Sequence, residues 1–156
     1  MGFTALVIAI QLVTPASVPQ STVAAAEQVA TTILQTSGVQ PFWVGCRAKT
    51  LCLHLQILDK AIPLHGDTAG YTVADYAVVS YPQATAAAAS CGEPVAVVLG
   101  AAMAHELGHL LLPPPSHSAT GIMSPRLSCH ELTLAARGEL RFTPDQVRAI
   151  RNEPRQ

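Results

Sequence analysis

The segment "VAVVLGAAMAHELGHLLLPPP", residues 95–115, constrains this chain more than any other. It is apolar all the way round a helix, and such a helix has to be buried. Three consecutive prolines end it, because proline removes a backbone donor and clashes with the preceding turn. The pattern predicts a helix from about Pro94 to Leu112. Inside it lie His105, Glu106 and His109, although only 12% of the chain is charged. A buried carboxylate is costly unless something compensates it, and a metal ion is the simplest compensation. Residues four apart on a helix advance about 6 Å and overshoot one turn by about 40°. His105 and His109 therefore project the same way. Nitrogen ligands in a tetrahedral set suit Zn2+, and a glutamate beside the first ligand has the place of a general base. Gly108 leaves room for backbone approach between the two histidines.

Two helical ligands do not complete a catalytic zinc site, which has three protein ligands and a water. His117, His130 and Glu131 follow downstream. His117 comes after a sharp turn that lets the chain fold back under the metal, whereas Glu131 needs a second helix to bring it alongside. A closed site, with His130 or Cys129 in the fourth position, would instead make a non-catalytic zinc-stabilised binding module.

The rest of the chain alternates strand and helix patterns. "TALVIAIQLV" (4–13) reads as a central strand rich in β-branched residues. Ser17 and Gln20 resemble a capping box with Pro19 in the first turn. The helix that follows, to about Thr36, places Val23, Ala26, Ala30, Ile33 and Leu34 on one stripe, and Gly38 stops it. Residues 41–46 and 51–58 read as two strands joined by the polar turn "RAKT", and 71–81 as a further strand. His54 alternates with leucines and reads as structural, and His65 as solvated in a Gly/Pro loop. A short helix over about 129–137 and a last helix over 144–153, with Thr143 as N-cap, Pro144 at N1 and Gln146 at N3, close the chain. Residues 1–156 thus read as one α+β domain: a small twisted mixed sheet on a long helix and a metal-binding helix, with a C-terminal helix.

"AHELGHLLL", "SHS" and "GIM" together resemble a metzincin-type zinc metalloprotease, most closely small bacterial ones with a His-Ser pair and Gly-Ile-Met after the zinc helix. The metzincin pattern is H-E-x-x-H-x-x-G-x-x-H followed by a methionine turn. His105 and His109 match its first two ligands, Glu106 its base and Met123 its turn methionine. The chain departs from it at Leu112, where the pattern has glycine, and at Pro115, where it has the third histidine. His117 comes two residues late, with the prolines replacing glycine as the helix stop. The resemblance implies a zinc-dependent endopeptidase in which His105, His109 and His117 hold Zn2+ and Glu106 activates the water on the metal. It implies a peptide or protein substrate laid along a strand at about Tyr71–Tyr81. A gluzincin-type peptidase with Glu131 as third ligand is the alternative. Arg126, His130 and the three tyrosines are candidate second oxyanion donors, and Ser118 is placed either to cap the loop or to hydrogen-bond near a ligand.

A net charge of -1 without a basic run gives no purchase for nucleic acid. The histidines and Glu106 interrupt the apolar run at 94–112, which argues against a membrane span. "MGFTALVIAIQLVTPASVPQ" has the apolar run of a secretory signal but no preceding Lys or Arg, and is read as a buried strand. The four cysteines, Cys46, Cys52, Cys91 and Cys129, allow two disulfides in three connectivities, of which Cys46 with Cys52 is the simplest pair because they flank a short turn, or else four reduced, buried thiols. Disulfides favour a secreted or extracytoplasmic location.

Overall fold

The computed structural model describes residues 4–46, 50–63 and 69–152. Its elements in chain order are β1 (Leu6–Val13), α1 (Gln20–Gln35), β2 (Val39–Phe42), β3 (Leu51–Leu58), β4 (Gly70–Val73), β5 (Tyr76–Ser80), α2 (Tyr81–Cys91), α3 (Val95–Leu111), α4 (Cys129–Ala136) and α5 (Pro144–Asn152). The strands form one mixed sheet in the order β2-β1-β3-β5-β4. All neighbours are parallel except β4, which runs antiparallel to β5 at one edge.

β1 is central, as its apolar run predicts, and it separates two strands expected to be joined by a turn. β2 and β3 both pair with β1 in parallel, on opposite sides. Parallel strands cannot be linked by a tight hairpin, so β2 and β3 are not the turn-joined pair expected; residues 47–49 of "RAKT" lie outside the described residues. The strand expected over 71–81 is instead a hairpin. Ala74, at φ +54°, turns it, and Ser80 ends it by accepting a hydrogen bond from the Gln83 N–H to cap α2. The expected capping box at Ser17 is absent, since the Ser17 hydroxyl donates to Asp59 at 2.8 Å. The position of His65 falls outside the described residues.

Strand alternation sends Ile8, Ile10, Leu53, Leu55, Ile57, Ala77 and Val79 into a core shared with α1 and α3. Each fully buried large side chain contributes about 1.5–3 kcal/mol. Val7, Val13 and Phe42, in the opposite phase, are exposed. α1 and α3 meet at Gly100, where a Cβ would stand 2.5 Å from the Ala26 carbonyl oxygen and 2.6 Å from Val29 Cβ. Only glycine permits that approach, and it clamps the helix that carries both predicted ligands. From Val98 to Gly108 every residue of α3 is buried.

Two disulfides cross-link the described residues. Cys46 pairs with Cys52, as the spacing suggests, and Cys91 at the end of α2 pairs with Cys129 at the start of α4. No helix among the described residues is long and apolar enough to cross a membrane.

Candidate metal centre

His105 is buried, with Nδ1 2.7 Å from the Ile122 carbonyl oxygen. A carbonyl only accepts, so Nδ1 carries the proton and Nε2 presents its lone pair. One turn on, His109 Nδ1 lies 2.5 Å from Ser116 Oγ, and its Nε2 lies 3.1 Å from His105 Nε2. The exposed ring of His117 completes the group, its centroid 5.5 Å from that of His105 and 4.7 Å from that of His109. One ligand nitrogen from each residue lies within 4.8 Å of the others. The structure thus brings together His105, His109 and His117.

Burial pushes the His105 and His109 imidazoles down to about 4, with each further lowered by charge repulsion within the group. Both are neutral near pH 7. Across 3.1 Å the two Nε2 atoms can share either a hydrogen bond, with His109 protonated on Nε2, or a bound cation. Tetrahedral zinc ligands at roughly 2.0–2.1 Å from the ion stand about 3.3 Å apart, so the pair fits such an ion.

Glu106 lines, together with His105, a chamber of about 30 Å³ walled by Ala69, Val98, Ala102, Leu127 and Leu132. That volume admits a water molecule. Burial pushes its carboxyl up to about 8. β4 closes on it from above: a Cβ at Gly70 would lie 2.6 Å from Glu106 Cγ and 2.9 Å from its Oε1. The edge strand and the carboxylate are therefore in direct contact.

Met123 lies fully buried against α3 at Gly108. A Cβ at Gly108 would run into Met123 Sδ and come within 3.2 Å of Phe142 Cε1. The glycine between the two histidines thus makes room for this methionine. The loop is fixed by Ser118 N–H donating to the Met123 carbonyl and Ile122 N–H donating to the Arg141 carbonyl, both at 3.0 Å.

Other sequence candidates are placed elsewhere. The Glu131 carboxylate accepts from the Ser128 N–H at 2.8 Å and so completes the capping box of α4. Cys129 is held in its disulfide, and His130 is exposed on α4, outside the histidine group. His54 stacks on Tyr76 with centroids 4.8 Å apart, beside Cys46 and Cys52. Ser118 takes the loop-capping role of the two expected for it, its hydroxyl donating to the Thr120 carbonyl at 2.7 Å, and it is Ser116 that touches His109. Sequence reasoning missed Ser116, Gly70 and the reach of Gln146, since no local pattern joins them to the histidines. No protein-family model matches the chain, and no curated protein matches it in sequence.

Proposed function

We propose that the chain is a metzincin-type, zinc-dependent endopeptidase. His105, His109 and His117 would hold Zn2+, and Glu106 would act as general base. One observation carries this reading: three imidazoles converge within 4.8 Å while the carboxylate next to the first of them lies against the sheet edge. The methionine seated against Gly108 supports the same assignment. When bound, the ion supplies Lewis acidity, lowering the pKa of a water toward about 7 and polarising the scissile carbonyl.

The protein's own groups supply the rest. Glu106, kept ionised by a bound cation beside it, would take a proton from the attacking water as the C–O bond forms, and would deliver it to the amine as the C–N bond of the tetrahedral adduct then breaks. β4, rather than the whole of 71–81, is the edge on which an extended peptide would pair, because β5 is enclosed between β3 and β4. Tyr71 and Val73 stand exposed along it. The Glu131-ligand alternative has less support, since that carboxylate caps its own helix. The two disulfides support a secreted or extracytoplasmic location.

The test is Glu106→Gln, with metal content and casein digestion measured together. Peptidase activity should fall about 10²–10⁴-fold, the range for a lost general base, with zinc retained. Full activity in the variant, or a purified chain that takes up no zinc, would sink the reading.

A further inference from the structure

We propose that Gln146 positions the third imidazole, so that the N-terminal cap of α5 sets the metal affinity of the histidine centre. The inference rests on the metal-site reading above and goes beyond it, because Gln146 is 37 residues after His109 in the chain (146 − 109) and belongs to another helix.

Gln146 is buried, at 8% exposure. Its Oε1 accepts from the Thr143 N–H at 2.9 Å, and its own N–H lies 3.4 Å from Thr143 Oγ1, which makes it the N3 member of a capping box. Its Nε2 faces the opposite way and donates to the Ser116 carbonyl at 3.2 Å and to Ser118 Oγ at 3.0 Å. Those two residues flank His117. Ser116 in turn holds His109 through its hydroxyl, and the Ser118 N–H is tied to the Met123 carbonyl. One amide therefore pins both neighbours of the exposed histidine to a helix outside the loop.

The choice of glutamine points to this second task. A cap alone needs only the acceptor oxygen, and glutamate would serve it better, since negative charge is favoured at a helix N-terminus. Only the amide offers two N–H donors, and here they meet two acceptors. His117 belongs to no helix or strand, so its ring is aimed by the backbone on either side of it. Partners that orient a metal ligand typically change affinity about 10–100-fold when removed.

The experiment compares Gln146→Met with Thr143→Ala. The first removes the two bonds to the loop together with the Oε1 cap acceptor. The second weakens the cap but leaves Nε2 in place. Zn2+ affinity is measured by chelator competition on folded protein, and the visible spectrum of the Co2+-loaded protein reports the ligand geometry. Gln146→Met should bind zinc about 10–100-fold more weakly with an altered cobalt spectrum, and Thr143→Ala should lose thermal stability while its affinity stays near wild type. In metal-free protein, hydrogen exchange at residues 116–118 should speed up in Gln146→Met alone. Wild-type affinity and exchange in Gln146→Met, or an equal affinity loss in Thr143→Ala, would overturn the proposal. If Gln146→Met does not fold, Gln146→Glu retains the cap acceptor and lacks both donors, and wild-type affinity there overturns it equally. A wild-type chain that binds no metal overturns the site reading as well, whereas tight wild-type binding unchanged in the variants overturns only this one.

Discussion

His105 and His117 face the same centre from unlike surroundings. His105 sits on α3, a helix buried from Val98 to Gly108, where helical geometry and close packing leave its ring one place to go. His117 sits on an irregular stretch between α3 and α4, exposed, with its position set by hydrogen bonds among Ser116, Ser118, Met123 and Gln146. The helix presents two of the histidines by periodicity, and the loop presents the third through a mesh of individually modest bonds, each worth about 0.5–1.5 kcal/mol net. The loop must therefore be anchored at both ends and from below, and each anchor can be tested.

The largest effect is expected at the far anchor. Cys129 begins α4 directly after the loop and is bonded to Cys91, 38 residues earlier. Closing a loop of that length in the unfolded chain is worth about 4 kcal/mol in the chain-entropy account, against about 2 kcal/mol for the short Cys46–Cys52 loop. The double variant Cys91→Ser/Cys129→Ser should lower the melting temperature by about 8–16 °C in calorimetry, clearly more than Cys46→Ser/Cys52→Ser. The reverse order would show that the loop's far end is not held by this cross-link.

The next effect tests the contact between helix and loop. Gly108→Ala should favour the helix by about 1 kcal/mol on propensity alone. The added methyl would meet Met123 Sδ, with Phe142 Cε1 3.2 Å away, and overpacking of this kind costs about 1–3 kcal/mol. Methionine is adaptable, so a net loss of about 1 kcal/mol, read by urea denaturation, is expected. A stabilised variant would mean that the methionine is loosely seated and that helix and loop are not keyed together.

The same contrast explains what could be read from the sequence. His105, Glu106 and His109 are legible because a helix of period 3.6 turns spacing into direction. The three prolines mark where α3 stops, and Thr143-Pro144 marks where α5 starts. The central position of β1 follows from its unbroken apolar run. The pairing of β2 and β3 on either side of β1 was not legible, because parallel neighbours are chosen by tertiary packing and leave no turn signature between them. Nor was the break at Ala74, where a residue that usually avoids positive φ turns a hairpin. His117 could be named only as one of three candidates, because loop geometry depends on partners such as Gln146 and Arg141 that lie far along the chain. Gln146 itself was legible as a cap residue and not as a strut, since its second set of bonds crosses to another element.

The smallest effect concerns the cap that starts α4 and fixes the exit of the loop. Ser128 and Glu131 satisfy one another's backbone in a capping box. Burial alone would raise the Glu131 carboxyl, but hydrogen bonds from Ser128, with a smaller contribution from His130, outweigh it and hold the group below the ordinary glutamate value. A carboxyl with a depressed folded-state pKa adds stability that is present above its unfolded value and is lost as pH falls through its folded value. Ser128→Ala should therefore cost about 1 kcal/mol at neutral pH, a shift of about 2–4 °C in melting temperature. Glu131→Gln should cost less, and its gap from wild type should be widest near pH 7 and close as the pH drops below about 4.3, the ordinary glutamate value. A gap that widens in acid would mean that the carboxylate is not held by Ser128, and the loop would then lack the near half of its exit anchor.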